Sequence, residues 1–291
     1  MSPTPYVSAL QTFYNTVSKS YNAQTSTIHA GGPDRLVAAA AAAGGVFPGA
    51  HVLDLATGTG KIAFAAARKV LPGGSVLGID ISESFLALAS HAAEELGVAS
   101  SVTFLQRDVA DLSDLPGREG DGRWADAVTC GSAIAMFPSP KTVLNVLAKE
   151  VLKPGGVFVA DLWAPHVPAK IFLDVAVPRG FEAPFEPAWL SDTEVAFRRV
   201  FEGTGFELRR VDKVGGSTSK WDVGTEEKVE VLWRNLAVEQ TWLSFGLEKM
   251  SVDVVEGIKW AWVQELGKYG DGEGVVVAEM GQWVAVAVAR E

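Results

Sequence analysis

A doubly wound α/β sheet is the fold this sequence predicts, and three observations predict it. Residues 52–63, VLDLATGTGKIA, pass from a short apolar run through a glycine turn into an apolar helical pattern. That is the sequence form of a buried parallel strand entering a helix N-terminus. Short apolar runs and helical patterns then alternate as far as residue 162. Such a βαβ rhythm demands a parallel sheet with right-handed crossovers and helices on both faces. Finally, Asp54, Asp80 and Asp108 stand in or just after the first three expected strands, where ligands of open α/β sheets collect.

The elements follow in order. Residues 6–30 hold Tyr6, Tyr14 and Tyr21, three of the four tyrosines. With Phe13 and Val17 they approach helical spacing, which fits both a helix packed on the domain and a lid over its site. Pro33 and Asp34 start an alanine-rich helix that Gly44 and Gly45 close, since proline suits a first turn and glycine a C-terminus. Strands are expected over 52–56, 75–79, 102–105, 125–129 and 157–162, the second ending at Asp80 and the third near Asp108. Helices are expected over 61–70, 84–96 and 140–152, the last closed by Pro154, Gly155 and Gly156. Residues 112–123, with Pro116, Gly117, Gly120 and Gly122, read as a surface loop.

Beyond residue 163 the rhythm breaks. Residues 164–190 hold five prolines among Phe172, Phe181, Phe185 and Trp189, an insertion of the kind that shapes substrate pockets at strand ends. Ser191 and Asp192 are expected to cap a helix reaching Phe201, with Glu194 completing a capping box. A sixth strand over 206–211, a polar stretch over 217–225, helices through 226–269 and a last strand or strands over 275–289 complete the chain. The expected segments are therefore a lid (1–30), a core (31–163), a substrate-loop insertion (164–190), a core continuation (191–216), a helical cap (217–270) and the final strand or strands (271–291). There is no internal repeat.

Composition narrows the function. The chain has 291 residues, 48% of them hydrophobic, enough for one large elaborated α/β domain or two small ones. Its formal charge is −10 and it has no basic run, so a nucleic-acid backbone is not an expected partner. Cys130 is the only cysteine; this excludes an internal disulfide and a cysteine-rich metal site and fits a reducing, cytoplasmic interior. No two histidines have metal-ligand spacing, so no metal is expected. The first residues lack the basic and apolar regions of a signal peptide, and no apolar run reaches the length of a membrane span.

The glycine loop admits three readings. A phosphate-binding P-loop needs glycine at position 55 and Ser or Thr at position 62; the chain has Leu55 and Ile62. A dinucleotide fingerprint does match, through Gly58, Gly60 and Ala63. Against it, Asp54 lies inside a strand that dinucleotide-binding proteins usually keep apolar. The run DLATGTG, residues 54–60, resembles motif I of the class I S-adenosylmethionine-dependent methyltransferases, with Ala56 where many members have their first glycine. Asp80 stands 26 positions beyond Asp54 and could accept from ribose hydroxyls, a role shared with NAD enzymes. The segment VTFLQRDVA, residues 102–110, and LKPGG, residues 152–156, are similar to the same methyltransferase family. The resemblance covers residues 30–163.

That resemblance implies a Rossmann-like seven-stranded sheet with an antiparallel last strand, a helical substrate cap and S-adenosyl-L-methionine as cofactor. It implies cofactor contacts from Asp54, Ala56, Thr57, Gly58, Gly60, Asp80, Ile81, Asp108, Val109, Gly131 and Ser132. Asp108 would accept from the adenine amino group and the Val109 N–H would donate to the ring. Gly58 and Gly60 would face the methionine part, Asp54 would orient its amino group directly or through water, and Gly131 and Ser132 would line the methyl-transfer channel. Candidates for catalysis are His166, His29 and Tyr21; His51 and His91 read as structural. The expected reaction is methyl transfer to an O, N or C nucleophile of a small, hydrophobic acceptor of the lipid-quinone or secondary-metabolite kind. The rivals are a non-methylating rearrangement or cyclisation on the same cofactor, an NAD-dependent oxidoreductase and a non-catalytic binding subunit.

Overall fold

The computed structural model describes residues 4–25, 30–116, 122–164, 167–183, 185–186, 188–238 and 243–290. Among the described residues seven strands form one sheet: β1 (His51–Leu55), β2 (Ser75–Asp80), β3 (Val102–Gln106), β4 (Ala125–Gly131), β5 (Leu152–Ala164), β6 (Phe206–Asp222) and β7 (Val275–Ala289). Their order is β3-β2-β1-β4-β5-β7-β6. The pairs β1–β2, β1–β4, β2–β3 and β4–β5 are parallel, and the last strand is antiparallel. The order reverses at β1, whose neighbours are β2 and β4, so β1 is the topological switch point where open α/β sheets bind ligands.

The helices between these strands follow the pattern of the sequence. α1 (Pro5–Thr25) precedes α2 (Gly32–Ala42); α3 (Lys61–Val70), α4 (Glu83–Glu95) and α5 (Pro140–Val146) are crossovers. α2 ends as its glycines dictate. Gly44 takes φ +86°, its N–H reaches the Ala41 carbonyl, and the Gly45 N–H reaches that of Ala40, as in a Schellman end.

Three expectations shift. The helix after β4 stops at Val146 and passes through a π-helical turn, Leu147–Val151, into β5. Pro154 disfavours helix in the residue before it, so the chain is extended by Leu152. Pro154, Gly155 and Gly156 do not simply close a helix: they bulge within β5, where Ala125 faces Leu152 but Ala127 already faces Val157. β6 continues to Asp222 instead of ending near residue 211; it lies at the sheet edge, where polar side chains and close backbone approach at Gly216 are compatible with a strand. Of the expected caps Ser191 and Asp192, Asp192 accepts through its Oδ1 from the Val195 N–H at 3.2 Å. Ser191 instead ends α7 (Ala188–Ser191), and α8 is Thr193–Phe201.

The chain forms two compact units. The first comprises Met1–Leu162, Phe197–Val214 and Gln282–Glu291; the second comprises Trp163–Ala196 and Gly215–Gly281. In the first, small side chains from α2 and α3 meet Val52, Val76, Ala127 and Val157 of the sheet. Elsewhere in this unit Phe158, Phe201 and Phe206 form a triad with ring centroids 5.6–5.9 Å apart. The second unit contains α6 (Val167–Ala176), α7, α9 (Glu226–Trp233), α10 (Ser244–Leu247) and α11 (Val252–Gly267). Its core centres on Phe172, Trp233 and Trp262, and the fully buried Trp262 donates its indole N–H to the Pro168 carbonyl at 2.9 Å. Of the four late tryptophans, Trp233 and Trp262 are core, Trp260 is exposed, and Trp242 lies outside the described residues. Among the described residues no helix is long and apolar enough to cross a membrane.

The closeness of α2 to the sheet is testable at Gly45. A Cβ there would lie 2.6 Å from the Val157 Cβ and 3.1 Å from the Ala127 Cβ, both on rigid strands. Gly45→Ala should cost about 1–3 kcal/mol through overpacking. Chemical denaturation reads it; an unchanged or raised midpoint would mean the end of α2 can lift off the sheet.

Candidate active site

The site begins with a carboxylate that faces inward. Asp54 is fully buried in β1. It accepts from the Thr57 hydroxyl and the Thr129 hydroxyl, each at 2.6 Å, and from the Ala63 N–H. It therefore ties the loop, β4 and the start of α3 together. Burial pushes its pKa up to about 6, against the pull of these hydrogen bonds. The loop it holds is turned by three left-handed residues, Ala56 (φ +48°), Gly58 (φ +55°) and Gly60 (φ +84°). The Thr57 N–H donates to the Ile79 carbonyl at 2.9 Å, anchoring the loop to β2.

Asp80, at the end of β2, is the second anchor. Its Oδ2 accepts from the Gly58 N–H and its Oδ1 from the Ser82 N–H, both at 2.8 Å. The Asp80 carbonyl accepts from the Arg107 N–H at 2.9 Å. One residue thus fixes the loops that follow β1, β2 and β3. After β3, Asp108 turns the chain by accepting from the Ala110 N–H at 2.9 Å.

Asp161 is a residue that sequence reasoning missed. It lies in β5 opposite Gly131 and is almost wholly buried. Its Oδ1 accepts from the Ser132 N–H at 2.7 Å and its Oδ2 from the Gln282 amide at 2.6 Å. Burial raises its pKa to about 6. The signal that could have found it is the one that found Asp80, an acid closing an apolar parallel strand. Its partners Gln282 and Arg35 carry no such signal.

α1 lies over these loops and is fastened by amides, also unforeseen. The Gln11 amide donates to the Ile81 carbonyl at 2.9 Å, Asn15 Oδ1 accepts from the Ser82 hydroxyl at 2.7 Å, and Asn22 Oδ1 accepts from the Thr59 hydroxyl at 2.8 Å. The aromatics of α1 meet Phe85 of α4, with Tyr21 at 4.9 Å and Tyr14 at 5.6 Å between centroids.

Together these elements enclose a cleft of about 750 Å³, open mouth included. Of the expected site residues, Ala56, Gly58, Asp80, Ile81, Asp108, Val109, Gly131, Ser132 and Tyr21 line it. Asp54, Thr57 and Gly60 lie behind the lining, where they shape the loop. His29 and His166 lie outside the described residues. The Tyr21 hydroxyl is pushed up to about 12 by burial and by the carboxylates of Asp80 and Asp161, so it stays protonated at neutral pH. Arg107, another lining residue, keeps a buried Nε–H with no hydrogen-bond partner among the described residues.

Two consequences can be measured. Ala56 pays about 1–2 kcal/mol for its left-handed backbone, and glycine would return part of that to chain entropy. Ala56→Gly should therefore stabilise the fold by roughly 0.5–1 kcal/mol; a lower denaturation midpoint would contradict this. Asp54 and Asp161 rise from 3.8 to about 6 on folding, so the folded state holds protons that the unfolded chain has lost. Their favourable contribution is complete below the unfolded value and disappears as pH rises through about 6, by up to roughly 3 kcal/mol each. Asp80 shifts the same way, whereas Asp111, Asp222 and Asp271 are lowered and act below this window. The melting temperature should rise from pH 7.5 to pH 5, and Asp54→Asn should flatten the trend.

Residues 47–177 match the family described as "Methyltransferase domain". The chain is 36% identical over 122 residues to the 2-phytyl-1,4-naphtoquinone methyltransferase of Synechococcus elongatus, covering 42% of this chain and 49% of that one. It is 30% identical over 159 residues to the demethylmenaquinone methyltransferase of Symbiobacterium thermophilum, covering 54% and 60%. The nocamycin O-methyltransferase of Saccharothrix syringae is 35% identical over 109 residues, covering 38% of this chain and 36% of that one. The chain spans about half the length of the first of these. A solved Bacillus halodurans protein shares the fold, with a TM-score of 0.55, 21% identity and coverage of 88% of this chain and 99% of that one. Residues 47–177, with Asp54, Asp80, Asp108 and Asp161 in or just after parallel strands and a sheet order that reverses at β1, are similar to the methyltransferase domain of the class I S-adenosylmethionine-dependent enzymes.

Proposed function

We propose that the cleft binds S-adenosyl-L-methionine and that the protein transfers its methyl group to an O, N or C nucleophile of a small, apolar organic acceptor. The observation that carries this reading is that Gly58, Asp80, Ile81, Asp108 and Val109, from the ends of three adjacent strands, line one cleft. Asp80 is held by backbone N–H groups and keeps lone pairs for ribose hydroxyls. Asp108 offers an acceptor, and the chain after it a donor, at the adenine end.

The residues fit such a ligand. A Cβ on Gly58 would meet only Phe85, at 4.0 Å, so the missing side chain leaves cleft volume for a ligand against the backbone. The Nε–H of Arg107, without a partner among the described residues, is a buried donor of the kind native structures rarely leave unsatisfied. The acidic surround of Asp80, Asp108 and, behind Ser132, Asp161 suits a cationic donor. When bound, the cofactor supplies a methyl activated by sulfonium, with a neutral thioether as leaving group. The chain's own work is alignment, which can supply roughly 7–11 kcal/mol of the barrier. Val7, Leu10, Tyr14, Met136 and Phe137 make the rest of the cleft apolar, as a hydrophobic acceptor or adenine face requires. Two of the relatives are named for quinone acceptors, which supports an acceptor of that chemistry.

The test is calorimetric titration with S-adenosylhomocysteine, with NAD in parallel. S-adenosylhomocysteine should bind and NAD should not; the reverse would return the glycine loop to the dinucleotide enzymes. Asp80→Ala removes charge-assisted acceptors worth about 1.5–3 kcal/mol each and releases the Gly58 loop. It should weaken binding about 100-fold, and unchanged affinity would remove Asp80 from the site. A labelled methyl donor then separates transfer from rearrangement: label must appear in product.

A further inference from the structure

We propose that Asp161, braced by Gln282 and Arg35, is a positioning residue that fixes Ser132 and with it the part of the cleft that takes the amino-acid end of the methyl donor. This rests on the donor-binding reading above.

Ser132 lines the cleft with φ +55°, a conformation unfavourable for any residue with a side chain. Something must hold it there. Its N–H donates to the Asp161 carboxylate at 2.7 Å and approaches the Asp161 carbonyl at 3.1 Å; its hydroxyl lies 3.3 Å from the same carboxylate oxygen. At Gly131 beside it, a Cβ would lie 2.2 Å from the Ile62 Cδ1, so any side chain there would displace the tip of Ile62. Asp161 thus supplies the hydrogen bonds that hold the Ser132 backbone in this conformation.

Asp161 is itself set from behind. Gln282 Oε1 accepts from Arg35 Nε at 2.6 Å. Arginine has no acceptor to offer, so the amide oxygen must face Arg35 and the NH₂ must face Asp161. That NH₂ also reaches the Gly32 carbonyl at 3.3 Å, and Arg35 is held by the Ala30 carbonyl at 2.9 Å. The orientation of Gln282 is thus forced, and it presents a donor to a carboxylate. A buried charge of this kind adds little to stability over an apolar replacement, so its use lies in what it holds.

Sheet order says which end of the ligand is concerned. Asp80 and Asp108 follow β2 and β3, on one side of β1; Ser132 and Asp161 belong to β4 and β5, on the other. With the nucleoside over β2 and β3, the opposite end of the donor falls at Ser132. That end carries an ammonium group, and Asp161 places negative charge behind it. Because Asp161 is not among the residues lining the cleft, it acts through Ser132.

The experiment compares two probes, S-adenosylhomocysteine and 5′-methylthioadenosine, which share the nucleoside and thioether and differ in the amino-acid end. Asp161→Asn should bind methylthioadenosine within about twofold of the parent protein and S-adenosylhomocysteine about tenfold or more weakly. Gln282→Glu, which keeps the shape but opposes a carboxylate to Asp161, should show the same selective loss and serves where Asp161→Asn does not fold. Equal loss for both probes, or no loss for S-adenosylhomocysteine, overturns the proposal alone. A parent protein that binds neither probe overturns the donor-binding reading beneath it.

Discussion

The site hangs on the two hydrogen bonds that Asp80 accepts from Gly58 and Ser82. Each links a different loop to one carboxylate, and the Asp80 carbonyl adds the loop after β3 through the Arg107 N–H. Bonds to an ionised acceptor contribute about 1.5–3 kcal/mol each, more than a neutral pair. Burial works against the charge and raises the carboxyl's pKa. The N–H groups oppose that shift, so the loops and the charge stabilise one another. α1 is then docked onto a surface already organised: Gln11 reads the Ile81 carbonyl and Asn15 the Ser82 hydroxyl, both next to Asp80.

The parts legible in the sequence were those with a local cause. α3 runs over Lys61–Val70 as its pattern predicts, and β1 to β4 fall within two residues of expectation, because buried parallel strands declare themselves as apolar runs between glycine turns. The Ala56 departure was legible too, and its meaning is now physical: φ +48° shows why glycine is common there. What could not be read depended on residues far apart in the chain. Gln282 meets Asp161 across 121 positions and Arg35 across 247. The amides of α1 look like any solvent-facing polar residues until the loops they fasten are known. β6 was under-read for the opposite reason: an edge strand needs only one apolar face, so residues 215–222 resemble a loop.

Asp54 marks the glycine loop from behind. Its position marks the loop, yet the side chain points into the sheet and spends its acceptors on Thr57, Thr129 and the start of α3. It holds the loop's curvature, and the loop presents Gly58. The cleft is thus built in two layers, with Asp54 and Asp161 behind and Gly58, Asp80 and Ser132 in front. Both rear carboxylates sit near a pKa of 6, the mark of charges kept in a dry place by the hydrogen bonds they accept.

The same layering decides how the reaction can be helped. Among the described lining residues the groups able to take a proton are few. Tyr14 and Tyr21 are both pushed upward by burial and by neighbouring negative charge, so they remain protonated at neutral pH, able to donate or accept a hydrogen bond but poor proton acceptors. Asp80 is committed to two backbone N–H groups, and taking a proton would weaken the bonds that hold the glycine loop. A general base contributes about 10²–10⁴-fold, or roughly 3–5 kcal/mol. Alignment contributes roughly twice that. A wall fixed from behind, a loop fixed by one carboxylate and an aromatic helix above them are the means of alignment. On this balance, if the proposed methyl transfer is what the site performs, its described part would work by holding donor and acceptor in line, and its rigidity would matter more to the rate than the basicity of any side chain it presents.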